Sequence, residues 1–207
     1  MKPPRFIVFE GIDGSGKSTQ CDILHERLIR RGIPAVKLAE PSDGPWGRRI
    51  REMLCDSPMF PAEEQLRLFI LDRRDDAEKN IIPALQRGEV VVMDRYYFSN
   101  AAYQGAAGIP PERIIQENLA QGFPEPDRIY LIDIDPASAL QRIFGRISRP
   151  AELFETESFL AKVRDIYLSL ADERFLIIDG GRRIMDIADA ILQDFDAIAA
   201  LSPGGHG

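Results

Sequence analysis

A glycine-rich stretch near the N-terminus has the residue types and the spacing of a phosphate-binding loop. Gly11, Gly16, Lys17 and Ser18 complete the pattern G-x-x-x-x-G-K-[ST], and Gly14 lies inside it. Glycines allow positive φ angles, so several backbone N–H groups can face phosphate oxygens, while the lysine follows the β- and γ-phosphates and the hydroxyl binds Mg²⁺. The alternative is a glycine-rich turn with an incidental lysine. The motif predicts nucleotide binding but specifies no reaction, because many enzyme classes share it.

An acidic and a basic residue come together at the end of a later apolar run. Asp94 and Arg95 directly follow residues 90–93, which read Val-Val-Val-Met. Asp94 fits the second carboxylate that holds Mg²⁺, usually through its water shell, and Arg95 would project into the same crevice. The alternative is that the two side chains form only a structural ion pair with each other.

A predicted helix supplies a second set of candidate binding residues. Residues 61–79 have helical apolar periodicity, with Phe69 and Arg73 four positions apart on one face. A ring and a guanidinium at this spacing can enter one cleft, where the ring stacks on a base and the guanidinium binds a phosphate. The alternative for Phe69 is a place in the core, which is the usual role of an apolar stripe.

The elements that must position these residues alternate along the chain. Helical patterns separate short, nearly continuous apolar runs, which are typical of strands covered on both faces. The five predicted strands are residues 5–10, 35–39, 89–93, 128–134 and 175–178. Repeated strand–helix–strand order predicts an α/β fold, a three-layer sandwich around a five-stranded parallel sheet. Ligands bind beyond the carboxyl ends of such strands, where the phosphate-binding loop and the Asp-Arg pair lie.

Residue types also mark several helix ends. Asp135 followed by Pro136 predicts an N-cap and a first helical residue. Gly88 and Gly122 lie where helix C-termini need a positive φ angle.

Size, charge and cysteine content limit the class of protein. A chain of 207 residues, of which 44% are hydrophobic, is predicted to form a single domain over residues 1–201, followed by a flexible tail at 202–207. The net charge of -7 argues against nucleic acid or anionic membrane as a partner. Cys21 and Cys55 offer neither a metal-binding spacing nor a disulfide framework. No apolar run reaches the roughly 20 residues that span a bilayer, so we expect a cytoplasmic protein.

Taken in order, the motifs of this chain resemble those of the thymidylate kinase family from about residue 6 to residue 170. The matching segments are Phe-Glu-Gly-Ile-Asp-Gly-Ser-Gly-Lys-Ser-Thr-Gln at 9–20, Glu-Pro at 40–41, Leu-Phe at 68–69, Asp-Arg at 72–73, Asp-Arg-Tyr at 94–96, Ala-Tyr-Gln-Gly at 102–105 and Glu-Ser-Phe at 157–159. The resemblance implies a P-loop kinase that transfers the γ-phosphoryl of ATP to dTMP with Mg²⁺ as cofactor. It also implies a homodimer.

The resemblance further implies roles for individual residues. The residues implied in ATP binding are Gly11, Asp13, Gly14, Ser15, Gly16, Lys17, Ser18 and Thr19, and those implied in metal binding are Ser18 and Asp94. The residues implied in dTMP binding are Asp13 at the 3′-hydroxyl, Glu40 and Ser99 near the acceptor, Phe69 on thymine, Arg73 and Arg95 on the phosphate, Tyr103 at the 2′ position and Gln104 at the base edge. Lys17, Asp94 and Arg95 would be catalytic.

A lid is predicted at residues 142–155. Some members of the family carry an arginine within the phosphate-binding loop, whereas this chain has Gly14 and Ser15 there. The resemblance therefore implies the class whose catalytic arginines come from the lid, here Arg142, Arg146 and Arg149. The alternative is a solvated basic helix end followed by a loop.

The chain departs from the family pattern in three places. Ala39 precedes Glu-Pro where arginine is usual, Ser42 and Asp43 replace two glycines, and Glu-Leu at 152–153 replaces Asp-Arg. Two other functions stay open on the sequence: a kinase for another nucleoside monophosphate or a deoxynucleoside, and a weakly catalytic regulatory protein that binds nucleotides. Two arginines at the acceptor's 5′ end favour a monophosphate, because a nucleoside would leave them as buried charges without a partner.

Overall fold

Five strands form one parallel sheet in the computed structural model, which describes residues 5–56, 60–145 and 156–200. The strands are β1 (Phe6–Glu10), β2 (Ala35–Ala39), β3 (Val90–Asp94), β4 (Arg128–Asp133) and β5 (Phe175–Asp179). Their order in the sheet is β2-β3-β1-β4-β5, and every neighbouring pair is parallel. The predicted α/β class and the five-stranded parallel sheet are confirmed.

Helices connect the strands and cover both faces of the sheet. In chain order they are α1 (Lys17–Arg30), α2 (Pro45–Asp56), α3 (Ala62–Asp76), α4 (Ile82–Arg87), α5 (Tyr97–Ala106), α6 (Pro111–Ala120), α7 (Pro136–Phe144), α8 (Glu157–Ser169) and α9 (Ile184–Ala200). None of the helices in the described ranges is long and apolar enough to cross a membrane.

The helix predicted over residues 61–79 is more complex than its periodicity indicates. The α-helical part ends at Asp76, and a π-helical turn at Ala77–Ile81 connects it to α4. Pro83 explains the change, because it cannot donate a backbone N–H to the carbonyl of Lys79 and its ring would crowd that carbonyl in a regular α-helix.

The other helix-end signals are confirmed. Gly88 directly follows α4 with a φ angle of 83°, and Gly122 lies two residues after the end of α6 with a φ angle of 72°. Asp135 precedes Pro136, the first residue of α7, and its carboxylate accepts a hydrogen bond of 2.9 Å from the backbone N–H of Ser138.

Alternation along each strand divides the core between the two faces of the sheet. Phe6 and Val8 belong to the cluster on the side of α5 and α8, while Ile7 and Phe9 belong to the cluster on the side of α1 and α9. All four are buried, which explains why the strands appear in the sequence as unbroken apolar runs. Cys21 of α1 is buried in the second cluster as a free thiol, as predicted.

The sheet order brings the two principal motifs together. β1 is the central strand and lies directly beside β3, with Phe9 in register with Asp94. The loop after β1 and the Asp-Arg pair after β3 therefore share one end of the sheet, although about eighty residues of sequence separate them.

Candidate active site

The loop after β1 has the backbone geometry of a phosphate cradle. Gly11 and Gly14 have φ angles of 146° and 80°. A Cβ atom at Gly11 would lie 2.6 Å from the carbonyl oxygen of Ile132, and one at Gly14 would lie 2.5 Å from that of Ala139. Both positions therefore need glycine for conformation and for space. Because α1 begins at Lys17, unpaired N–H groups of its first turn lie at the same loop.

Lys17 is buried but weakly held within this loop. Its Nζ atom lies 3.4 Å from the carbonyl oxygen of Ile12 and 3.3 Å from a carboxylate oxygen of Asp13. Burial lowers the pKa of Lys17, and the charge of Arg95 lowers it further, while Asp13 and Asp94 act in the opposite direction. A buried ammonium beside a second cation is stabilised by an added anion, so the loop is suited to a phosphate.

Two oxygen-bearing side chains at this end of the sheet fit a divalent cation. The buried Oδ1 atom of Asp94 has no hydrogen-bond partner among the described residues, which is costly unless a ligand satisfies it. Ser18 is exposed in the first turn of α1. The described residues contain no cluster of three or more His, Cys, Asp or Glu that would enclose a metal. One carboxylate and one hydroxyl, completed by phosphate oxygens and water, is the kind of donor set that Mg²⁺ takes.

Arg95 leaves the end of β3 in a left-handed backbone conformation, with a φ angle of 71°. Its guanidinium donates a hydrogen bond of 3.0 Å to Ser99 Oγ and forms an ion pair with Asp13. The alternative of an ion pair between Asp94 and Arg95 is not what the structure shows, because the carboxylate partner of Arg95 belongs to the phosphate-binding loop. Tyr103 completes the group: its ring centre lies 5.2 Å from the Arg95 guanidinium carbon, and its hydroxyl accepts a hydrogen bond of 3.0 Å from the Asp13 backbone.

Arg73 lies in a second, fully buried network. Both carboxylate oxygens of Glu40 accept hydrogen bonds from it. The side-chain oxygens of Asn100 and Asn118 accept further bonds of 2.7 and 2.6 Å, and the guanidinium carbon lies 5.0 Å from the centre of the Tyr96 ring. Phosphate binding by Arg73 would require displacement of these protein acceptors, and that role stays a prediction.

Gln104 extends this network towards α3. Its side-chain oxygen accepts a hydrogen bond of 3.1 Å from Asn100, and its amide nitrogen donates one of 3.1 Å to Gln65. Phe69 is partly buried and packs against the cluster that contains Ile50 and Leu68. The structure thus gives Phe69 a packing role, while its stacking on a base stays a prediction.

Burial raises the pKa of Glu40 to about 8, against the opposing effect of Arg73. Ser42, at a position where the family pattern has glycine, fixes the loop that carries Glu40. The Ser42 N–H and hydroxyl donate hydrogen bonds of 2.7 and 2.6 Å to the two carboxylate oxygens of Asp72. Asp72 and Arg73 are consecutive in α3, so this helix holds the loop at two points. Ala39, the other departure before Glu-Pro, is exposed at the end of β2.

Arg142 is the part of the predicted lid that the structure describes in detail. It lies in the last turn of α7 and donates hydrogen bonds of 3.3 Å to the carbonyl oxygen of Ser15 and 2.9 Å to that of Gly180. It also lines a groove of about 470 Å³ with Ile134, Asp135, Ser138, Gln141, Asp179 and Gly181. Arg146 and Arg149 lie outside the described residues, and so does the rest of the lid to residue 155.

Three buried polar residues of the site were not assigned a role from the sequence. Glu10 ends β1, Asn100 lies in α5 and Asn118 lies in α6, and each is at most 2% exposed. Glu10 had a visible signal, since it is a charged residue at the end of an apolar strand. Asn100 had a weaker signal, because it lies four positions before Gln104 on the same helix face. Asn118 had none, since its contact with Arg73 spans 45 residues of sequence.

This site combines a glycine cradle at a helix N-terminus, a buried lysine and a strand-end aspartate with an arginine paired to the cradle. The combination defines the class of P-loop kinases that act on nucleotides. Sequence comparison narrows this class. The thymidylate kinase family model matches residues 9–191. Thymidylate kinase from Leptospira borgpetersenii serovar Hardjo-bovis is 40% identical over 195 residues, which cover 94% of this chain and 95% of the relative. Thymidylate kinase from Akkermansia muciniphila is 43% identical over 175 residues, which cover 84% of this chain and 83% of the relative. This chain belongs to the thymidylate kinase family.

Proposed function

We propose that this protein phosphorylates dTMP with ATP, giving dTDP and ADP for dTTP synthesis. The observation that carries the proposal is the position of Arg95, which contacts the phosphate-binding loop through Asp13 and the acceptor side through Ser99 and Tyr103. A cation at this junction can bind an acceptor phosphate directly opposite the donor phosphate.

The donor side supports ATP as the co-substrate. The triphosphate would bind the N–H groups of the glycine loop and the ammonium of Lys17, while Ser18 and Asp94 would hold Mg²⁺. When bound, Mg²⁺ supplies charge neutralisation between the β- and γ-phosphates. The groove beside Arg142 offers room for the nucleoside part, because Arg142 contacts the loop carbonyl of Ser15 and also lines the groove.

The acceptor side supports a deoxynucleoside monophosphate. An incoming phosphate would compete with Asp13 for Arg95 and so release the Asp13 carboxylate for the sugar 3′-hydroxyl. Tyr103 contacts both residues, and its ring would crowd a 2′-hydroxyl. Phe69 and Gln104 would contact the base, and Arg73 with Glu40 would form the floor beneath it.

Catalysis would rest on alignment and charge. Phosphoryl transfer passes through a loose transition state and needs little covalent chemistry from the protein. Lys17 and Arg95 would hold the two phosphates in line and stabilise the charge that develops between them. Closure of a lid that carries Arg142, Arg146 and Arg149 would add positive charge and exclude water as a competing acceptor.

A homodimer acting in the cytoplasm completes the proposal. A surface groove of about 500 Å³ between α3 and α6 has an apolar floor of Leu66, Ile70 and Leu71 with charges of both signs around it. Mixed charges around an apolar centre suit a two-fold interface, in which the same patch meets itself. Light scattering should give twice the chain mass of 23.3 kDa.

A coupled assay of ADP release across a panel of acceptors tests the proposed reaction. We expect the highest kcat/KM with dTMP, lower values with UMP and dCMP, and no turnover with thymidine, which offers no phosphate to Arg95. Equal kcat/KM for dTMP and dCMP would contradict base reading by Gln104. Absence of ADP release with every acceptor would contradict the enzymatic function itself.

A further inference from the structure

A completely buried carboxylate lies behind Arg95, and the mechanism above does not use it. Glu10, the last residue of β1, is 0% exposed. Its Oε1 atom accepts backbone hydrogen bonds of 2.9 Å from Tyr96 and 3.2 Å from Ser99. Its Oε2 atom accepts one of 2.6 Å from the Ser99 hydroxyl and lies 2.9 Å from the hydroxyl of Tyr167.

Glu10 is the acceptor in all four contacts, two of which come from backbone N–H groups and two from hydroxyls. Tyr96 directly precedes α5, so its N–H has no acceptor within the helix and would be unsatisfied without Glu10. The Ser99 N–H is shared between Glu10 and the carbonyl oxygen of Tyr96, which lies 3.0 Å away. Glu10 therefore caps α5 from a different part of the chain, and its negative charge lies at the positive end of the helix dipole. Burial raises the pKa of Glu10, while the Ser99 hydrogen bond and the charge of Arg95 oppose that rise.

The same contacts reach both the backbone and the side chain of Arg95. The Tyr96 N–H belongs to the peptide group that follows Arg95, so its bond to Glu10 helps to hold the left-handed backbone at Arg95. The Ser99 hydroxyl has one proton and directs it to Glu10, which leaves a lone pair for the Arg95 guanidinium at 3.0 Å. The Glu10 carboxylate thus helps to fix both the backbone conformation of Arg95 and the position of its guanidinium.

We infer that Glu10 is a positioning residue for acceptor phosphorylation, which holds Arg95 in place through the first turn of α5 and the Ser99 hydroxyl. The inference rests on the proposed function, in which Arg95 contacts the dTMP phosphate. Tyr167 of α8 is the third residue that donates to this carboxylate, so α8 packs against the same point.

A double-mutant cycle tests the inference. Glu10→Gln keeps the side-chain shape but directs an amide N–H₂ towards hydroxyl donors. We expect kcat/KM for dTMP to fall about tenfold in the native background, mainly through KM, and less than about twofold in an Arg95→Met background, because the residue acts through Arg95. The Kd for ATP should stay within about twofold of the native value. Equal falls in both backgrounds would overturn the inference, as would a parallel loss of ATP binding.

A second variant covers the outcome in which Glu10→Gln fails to fold. Tyr167→Phe keeps the ring and removes one contact to Glu10, so a fall of about threefold should appear in the native background and disappear with Arg95→Met. An equal loss from Tyr167→Phe in the native and Arg95→Met backgrounds would overturn the inference. Glu26→Gln, at an exposed position of α1, is the matched control and should change neither constant.

Failure of the inference and failure of the proposed function give different results. If the unsubstituted protein neither phosphorylates dTMP nor gains thermal stability from it, the proposed function is wrong and the inference fails with it. If the unsubstituted protein is active but the cycle is additive, only the role of Glu10 is wrong.

Discussion

Arg95→Met removes a guanidinium but keeps an unbranched side chain beside the Tyr103 ring. In the ligand-free protein, the lost contacts include one hydrogen bond to Ser99, one ion pair with Asp13 and the contact of the guanidinium with the Tyr103 ring. The Asp13 side chain is 43% exposed and keeps Lys17 as a partner at 3.3 Å. Loss of a partly exposed pair of this kind should lower the free energy of unfolding by less than about 1 kcal/mol.

The cost should be larger in the acceptor complex. The Arg95 side chain is only 17% exposed, so a phosphate bound there is largely screened from water. Removal of one partner from a desolvated, charge-assisted pair costs about 2 to 4 kcal/mol, which corresponds to roughly 30- to 1000-fold in kcat/KM. Both constants should change, since a misaligned acceptor loses binding and in-line geometry together.

Steady-state assays with varied dTMP at saturating ATP measure this loss, and calorimetry measures ATP affinity separately. Thermal unfolding adds a control, because the variant should keep its ligand-free midpoint and lose the increase that dTMP produces. Arg30→Met is the matched variant, since Arg30 is an exposed arginine of α1 whose ion pair within the described residues is with Glu26. A loss below about threefold would refute the reasoning, as would a lowered ligand-free midpoint with the dTMP effect intact.

Three further outcomes follow from the contacts of single residues. Lys17→Ala should abolish phosphoryl transfer. The ligand-free thermal midpoint should stay nearly unchanged, because the Lys17 ammonium makes only long contacts, of 3.4 and 3.3 Å, with the described residues. Measurable turnover by this variant would contradict the prediction. Gly47→Ala should cost several kcal/mol in urea unfolding, because the new Cβ would lie 1.8 Å from the carbonyl oxygen of Ser42, whereas Gly145→Ala, with its nearest contact at 3.3 Å, should cost far less. Burial raises the pKa of Asp76 from 3.8 to about 6, so the folded state holds an extra proton and stability should fall as pH rises through this window. Asp76→Asn should reduce this fall in stability by up to about 3 kcal/mol. The measurement is the free energy of unfolding of the variant and of the unsubstituted protein at pH 4 and at pH 8. The same pH dependence in both proteins would contradict the role of Asp76.

The parts of this molecule that the sequence predicts well have local causes. The central strands are buried on both faces, so they appear as apolar runs. No end of a predicted strand differs by more than one residue from the observed end. The phosphate-binding loop is also local, because Gly11 to Ser18 carry both its conformation and its chemistry. The Asp94–Arg95 motif was located correctly for the same reason, since it ends a strand.

Partner assignments depend on packing and could not be predicted in the same way. The partner of Arg95 is Asp13 and not its neighbour Asp94, because parallel strands β1 and β3 place the two loops side by side. The contact between Glu10 and Tyr167 spans 157 residues of sequence and depends on how α8 docks against the sheet. The π-helical turn after α3 is different: Pro83 was visible, but helical periodicity continued through it.

The two candidate arginines lie in different environments, and the difference favours Arg95 for the proposed contact with the acceptor phosphate. Arg73 is 0% exposed and its partner Glu40 is 3% exposed, so displacement of Glu40 by phosphate would leave a buried carboxylate unpaired at a cost of roughly 3 to 5 kcal/mol. Asp13 is 43% exposed, so it can turn from Arg95 to water, to Lys17 or to a sugar hydroxyl at little cost. The sequence presents two arginines of equal chemical capacity. From the burial of their carboxylate partners we expect Arg95 to bind the acceptor phosphate more readily than Arg73, which would keep Glu40 as its partner.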